Sequence, residues 1–552
     1  MKTAIRLYIL ILIASSPLLM LTSCNRHQKV DLIILNGKVY TSDSAFSVKE
    51  AVAVENGKIV FVGTTAQIKQ LYESDSTIDL KGKTMLPGLM DAHCHFKGLA
   101  EGLVRWVDLK GTKSFEEVML RIREFHSQHP NQWILGRGWD QNDWDIKTFP
   151  SNDLLDKEFD TIPVALTRVD GHAMLANSCL LQLVGITAKT KVNGGEIMLT
   201  NGQPNGMLID NAMGLITPHI PALSDELLEQ GLLKAQEVCF SLGLTSVVDA
   251  GLEYNEIQLI DKLQKSGQLK IRIDAMLSPS EENISNYLQN KPYKTDRLRV
   301  GSIKFYADGA LGSRGALLID PYADDAHKTG LRIESPAYYQ KYCDMAYKSG
   351  FQVNTHAIGD SAVRLMLQLY SRVLQGKNDR RWRIEHAQVV HPADFDLFGT
   401  YSIIPSVQPT HATSDMYWAA QRLGNERIKN AYAYKRLLMQ NGWMPLGTDF
   451  PIESVNPIYT FYAATQRKDL QGFPDNGFQI ENALSPQEAL YGMTIWAAKA
   501  SFLEKEIGSI EVGKAADFTV LDTDILSTEP ANIPLAKVNC VFISGECVFK
   551  TN

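Results

Sequence analysis

A chain of 552 residues is long enough for one large catalytic domain with an accessory module. Its 45% hydrophobic and 21% charged residues, with 39 glycines, match an ordinary globular enzyme and exclude a disordered or fibrous chain. A formal net charge of -7, without a long run of one sign, offers no basic surface for a phosphate backbone, so nucleic acid is not an expected partner.

The first residues read as a targeting segment. Lys2 and Arg6 supply a positive start, and Leu7 to Ala14 with Leu18 to Leu21 supply an apolar stretch interrupted at Ser15-Ser16-Pro17. It ends at Leu21-Thr22-Ser23-Cys24, which resembles a bacterial lipobox. Residues 1–24 are therefore expected to be a lipoprotein signal peptide, with Cys24 carrying a lipid anchor and the mature chain held on a membrane in the periplasm or at the cell surface. No later stretch reaches the run of about 20 apolar residues that a bilayer span requires.

Two short β-rich pieces follow at opposite ends of the mature sequence. Leu32 to Tyr40 and Ala51 to Gly63 each contain an Asn-Gly pair, a strong hairpin signal, and Asp517 to Asp522 with Val538 to Lys550 look the same at the far end. Neither piece has enough residues for its own core, so one composite β-sandwich is expected from residues 25–86 and 506–552. The last hairpin, turning at Ser544-Gly545, would set Cys547 opposite Phe542 and leave Cys540 only diagonal to it. Free, mostly buried thiols are expected at Cys94, Cys179, Cys239, Cys343, Cys540 and Cys547.

Between these pieces, over residues 87–505, strand-like runs alternate with helical periodicity. Candidate strands are Met85 to Leu89, Thr245 to Ala250, Ile271 to Leu277, Val300 to Phe305, Gln352 to Thr355, Trp382 to Glu385, Ser402 to Val407 and Trp443 to Gly447. Segments such as Ser361 to Leu374 and Asn425 to Met439 have the apolar spacing of barrel helices. Eight parallel strands predict an α/β fold of the TIM (β/α)8 barrel type. The stretch at about 97–222 reads as a subdomain inserted after the first strand.

Active sites of such barrels sit at the carboxyl ends of the strands. There the ionisable residues gather. Asp91-Ala92-His93-Cys94-His95 follows the first strand, and two histidines two apart on extended backbone point the same way and can share a metal. Cys94 between them faces away and is assigned no chemistry. The fifth and sixth strands end at His356 and His386, and the eighth at Asp449. Lys304 on the fourth strand is at first sight misplaced, because a cationic amine beside metal ions is repelled. The paradox disappears if carbon dioxide carbamylates it to an anion able to bridge two ions.

Together His93, His95, Lys304, His356, His386 and Asp449 resemble the ligand set of the binuclear amidohydrolase superfamily, in strand order one, one, four, five, six and eight. Three further stretches resemble the branch typified by N-substituted formamide deformylase: Leu135 to Asp140, Arg168 to Ala173, and Asp308 to Arg314. Gly513 to Phe518, at the return to the sandwich, also fits that branch.

The resemblance implies hydrolysis of a carbon–nitrogen bond in an amide, N-formyl or N-acyl amine. His93 and His95 would hold a more buried zinc and His356 and His386 a more exposed one, with carbamylated Lys304 bridging. Hydroxide on the metals would attack the carbonyl, and Asp449 would act as general acid/base. Manganese or iron also suits these ligands. A mononuclear site is a competing arrangement, with His386 reserved for substrate and Lys304 unmodified. Substrate contacts are expected from His172, Arg314 and Trp139, with Arg137 and Trp144 as further candidates. The alternatives are a deaminase or a phosphotriesterase-like or ester hydrolase on the same barrel, and a noncatalytic binding lipoprotein. A small molecule is the expected partner, and a homo-oligomer is compatible with the sequence.

Overall fold

The computed structural model describes residues 27–551 apart from 131, 169–172, 193–194, 222 and 313. The expected signal peptide with Cys24, and His172 of the insert, lie outside the described residues. Among the described residues no helix is long and apolar enough to cross a membrane.

Seven parallel strands among the described residues form the barrel wall in chain order: Leu89–Cys94, Leu244–Leu252, Arg272–Leu277, Leu298–Tyr306, Gln352–Ala357, Arg383–His386 and Ile404–Ser406. Residues 445–449 take the eighth place without a regular ladder, since Pro445 has no N–H to give and Asp449 turns out with φ 65°. The barrel still closes there. Gly447 N–H donates to Val407 O at 3.0 Å, Ala92 N–H to Leu446 O at 3.1 Å and Asp449 N–H to His93 O at 2.8 Å. Gly447 has to be glycine, because a Cβ would lie 2.6 Å from the backbone nitrogen of His93.

The first strand departs from the sequence expectation. Met85 to Leu89 is divided between two sheets. Thr84–Pro87 pairs with Phe518–Leu521 and Lys38–Tyr40 in the sandwich, and the barrel strand begins at Leu89. Pro87-Gly88 is the joint, where a Cβ on Gly88 would meet Thr245 Oγ1 at 2.3 Å. Both halves are fully buried, so a continuous apolar run hides the boundary. The His93 to His95 pair accordingly lies at the end of the strand proper.

The sandwich packs a four-stranded sheet from the amino-terminal piece against a six-stranded sheet drawn from both ends of the chain. Its core joins Leu32, Ile34, Val52 and Val54 to Phe518, Val520 and Phe542. Asn56-Gly57 makes the expected hairpin, with Glu55 paired to Lys58 and both turn residues at positive φ. Asn36-Gly37 does not. Leu32–Leu35 and Lys38–Tyr40 belong to different sheets, so this pair carries the chain from one layer to the other. At the far end Cys547 does sit opposite Phe542, and all six described cysteines are free.

The insert has its own six-stranded sheet and core. Trp106–Asp108, Ile134–Trp139 and Val164–Arg168 run parallel, and Ala173–Ala176, Gln203–Asp210 and Gly195–Thr200 continue the sheet antiparallel. The helix Phe96–Arg105 before it packs on Asp225–Ser241. The expected helix at Asn425 to Met439 is broken instead: Ala419–Arg427 and Tyr434–Asn441 flank Tyr432, which has φ 52°. The break lets Tyr432 N–H donate to Gln388 O at 2.7 Å and its hydroxyl to Asp415 at 2.7 Å, close to the site.

Candidate metal centre

The carboxyl ends of the strands surround a cavity of about 390 Å³ whose lining includes His95, Lys304, His356, His386, His411 and Asp449. Its outer wall is apolar, from Tyr306, Leu311, Trp418 and Ile452. His93 lies beneath it, fully buried.

Hydrogen bonds to the far side of each ring decide what the near side offers. His93 Nδ1 meets Glu385 Oε2 at 2.7 Å, His95 Nδ1 meets the carbonyl of Ala250 at 3.1 Å, and His386 Nδ1 meets Gln408 Oε1 at 2.8 Å. Each of these partners is an acceptor, so Nδ1 carries the proton and Nε2 presents a lone pair. Such anchoring is how proteins orient imidazoles for metals. His93 and His95 direct Nε2 to within 3.5 and 3.3 Å of Asp449 Oδ1. Asp449 Oδ1 is itself buried without a good hydrogen bond, as is His356 Nε2.

Charge in the cluster follows from burial. Desolvation holds His93, His356 and His386 neutral, bringing His93 down to about 4 and His356 to about 3, with Lys304 adding to both shifts. Burial lowers Lys304 to about 8, so an uncharged amine is accessible near neutral pH, and its Nζ lies 3.1 Å from His93 Nε2. Asp449 Oδ1 faces the Nε2 atoms of His93 and His95 with no good hydrogen bond of its own, so its charge is left for a cation to balance. A buried anion among neutral imidazoles with free lone pairs suits a divalent cation. Two groups of three side chains bring nitrogen or carboxylate oxygen atoms mutually within 4.8 Å: His93, His95 and Asp449, and His386, His411 and Asp449.

Behind the ligands stand carboxylates that sequence reasoning did not single out. Asp91 accepts Thr448 Oγ1 at 2.7 Å and the His93 N–H at 3.1 Å, tying the first strand to the eighth segment. Asp308 accepts the N–H groups of Ile358, Gly359 and Leu317 at 3.0, 2.8 and 2.8 Å and lies 3.5 Å from His356 Nε2. Glu385 is gripped from below by Arg383 at 2.8 Å, which outweighs its burial and brings it to about 2. The backbone is strained at two of the sites these groups support, with φ 72° at His386 and 65° at Asp449. His411 was also missed, although it follows the seventh strand as the other histidines follow theirs. Glu385 had a signal too, next to His386 on an inward-facing strand.

The structure thus gathers His93, His95, Lys304, His356, His386 and Asp449 at one rim. Of the other expected substrate residues, it does not bring Trp139, Arg314 or Arg137 there. Trp139 is in the core of the insert with Trp144, donating Nε1–H to Leu166 O at 2.8 Å. Arg314 is spent on Asp324 through two bonds of 3.1 and 2.8 Å. Arg137 is exposed on the insert sheet.

A closed parallel barrel with this rim of histidines, lysine and aspartate is the architecture of a metal-dependent hydrolase, and the amidohydrolase family model matches residues 76–549. The chain belongs to that family. It is 32% identical to the Protein LONG AFTER FAR-RED 3 of Arabidopsis thaliana, over 94% of this chain and 91% of the relative. It is 27% identical to the N-substituted formamide deformylase of Arthrobacter pascens, over 94% and 98% respectively. Among solved structures, a metal-dependent hydrolase from Pyrococcus horikoshii superposes with a TM-score of 0.77 at 27% identity, over 90% of this chain and 99% of that one.

Proposed function

We propose that this enzyme hydrolyses a carbon–nitrogen bond in a small amide, N-formyl or N-acyl amine, using two divalent metal ions. The observation that carries the reading is the convergence of His93, His95, Lys304, His356, His386 and Asp449 at one rim, with Nε2 of His93 and of His95 within 3.5 and 3.3 Å of Asp449 Oδ1. His93 and His95 would hold one ion, His356 and His386 the other, and Lys304 would bridge them after its neutral amine adds to carbon dioxide, forming an N–C bond and releasing one proton. Zinc suits the donors best. When bound, such ions supply Lewis acidity and lower the pKa of water from about 15.7 to about 7.

The protein's own groups do the rest. Glu385, Ala250 and Gln408 fix the imidazole tautomers. Asp449 is ionised and aimed into the cavity, so it can take a proton from the attacking water and deliver it to the departing nitrogen. The apolar wall of Tyr306, Leu311, Trp418 and Ile452 suits the organic portion of the substrate.

The test is metal analysis of the purified protein, with a screen of N-formyl and N-acyl amines against ureas, amidines, esters and phosphotriesters. Two metals per chain, turnover of amides and loss of both with Lys304→Ala are expected. One metal per chain with full activity in Lys304→Ala would reject the binuclear site, and turnover of another bond class alone would reject the amide reading.

A further inference from the structure

The loop after the seventh barrel strand brings a fifth imidazole to the cavity. His411 sits in the helix Pro409–Asp415, 7% exposed, with its Nε2 buried and without a hydrogen bond. That atom is 3.5 Å from Asp449 Oδ2, the oxygen opposite the one facing His93 and His95.

The far side of this ring differs from the others. His93, His95 and His386 each place Nδ1 against an oxygen acceptor, whereas His411 Nδ1 lies 3.0 Å from Gln388 Nε2. An amide N–H donates, so His411 Nδ1 accepts and the ring proton resides on Nε2. Gln388 is held in turn from its backbone, where its carbonyl accepts Tyr432 N–H at 2.7 Å. His411 therefore points a donor into the cavity where the other three point lone pairs.

We infer that His411 is a further catalytic residue and not a metal ligand: its Nε2–H donates a hydrogen bond to the oxygen of the scissile group as that oxygen gains charge. The inference rests on reading the site as a hydrolytic centre. Asp449 then works between two kinds of histidine. Its Oδ1 faces the lone-pair donors, and its Oδ2 faces the one N–H that meets substrate.

Three measurements on the metal-loaded protein decide this. His411→Ala is expected to keep the metal content of the wild type and to lower kcat about 10²- to 10³-fold, the usual effect of removing one oxyanion donor, with KM little changed. His411→Gln, which keeps an N–H near the position of Nε2, is expected to recover at least about tenfold of that loss. An N-alkyl methylphosphonamidate, which resembles the tetrahedral adduct, should bind the wild type and bind His411→Ala about 100-fold more weakly by calorimetry. Loss of one metal equivalent in His411→Ala would make His411 a ligand and overturn the proposal, as would unchanged kcat and analogue binding. The analogue separates the two readings. Failure of the wild type to cleave any amide rejects the proposed bond class, whereas failure of the wild type to bind the analogue overturns the role of His411.

Discussion

The two ends of the barrel both bury charge, and they do so in opposite ways. At the amino-terminal end, where the sandwich docks, each buried cation meets its own carboxylate. Arg272 pairs with Asp517 at 2.6 and 3.1 Å, and Arg299 pairs with Asp274 at 2.8 and 3.0 Å. At the carboxyl-terminal end, Asp449 Oδ1, His356 Nε2 and His411 Nε2 are buried without a hydrogen bond. Folding alone would not select such a cluster, since an unsatisfied buried polar group costs about 1–3 kcal/mol. The satisfied end holds the domains together, and the unsatisfied end is the candidate site.

The sharpest way to break this contrast is to unbalance the satisfied end. Asp517 immediately precedes the sandwich strand Phe518–Leu521, Arg272 opens the third barrel strand, and Ser544 N–H also donates to Asp517 at 2.8 Å. Asp517→Asn leaves the Arg272 charge buried and unpaired. Removing one partner of a buried pair costs about 3–5 kcal/mol, and chemical denaturation should show a loss of that order. Metal content and turnover per folded molecule should not change. A variant as stable as the wild type, or one that loses metal, would show that the two ends are not functionally separate.

The unsatisfied end makes a different forecast for a neighbouring carboxylate. Glu385 links Arg383 below to His93 above and is fully buried. Glu385→Gln keeps the shape but removes the charge that makes His93 a better ligand. Outer partners of metal-bound histidine are typically worth about 10- to 100-fold in metal affinity. Chelator competition should therefore show weaker metal binding by that factor, beyond any fall in melting temperature. A purely thermal effect would place Glu385 with the structural pairs of the opposite end.

The alternation of strands and helices was readable from the chain, and so was the rim. His93, His95, His356, His386 and Asp449 stand at strand ends, where linear position and spatial position coincide. What escaped reading depends on contacts between distant segments. The split of Met85 to Leu89 between two sheets leaves no mark in hydrophobicity, since both halves are buried. Pairing of Asn36-Gly37 with a hairpin failed because its flanking strands find partners elsewhere, at Val52 to Val54 and Thr84-Met85. Asp91, Asp308 and Glu385 act through backbone amides and ring nitrogens that only the closed barrel brings to them. His411 lay at a strand end like the rest and needed only the same rule applied to the seventh strand.

Trp139 gives the smallest effect and separates a motif from a site. Its place in Leu135-Gly136-Arg137-Gly138-Trp139-Asp140 suggested a wall for substrate, yet the ring is 1% exposed and stacks at a tilt on Trp144, with centroids 5.8 Å apart. Its one polar atom is satisfied by Leu166 O on the neighbouring strand. Trp139→Phe removes that hydrogen bond and part of the ring, for which about 1 kcal/mol of the insert's stability is the expected cost. KM should stay within about twofold of the wild type, because the side chain is packed in the core of the insert and is absent from the lining of the histidine-rimmed cavity. A severalfold rise in KM at unchanged stability would return Trp139 to the substrate and would mean that the insert reaches the rim in a way its own well-satisfied core does not suggest.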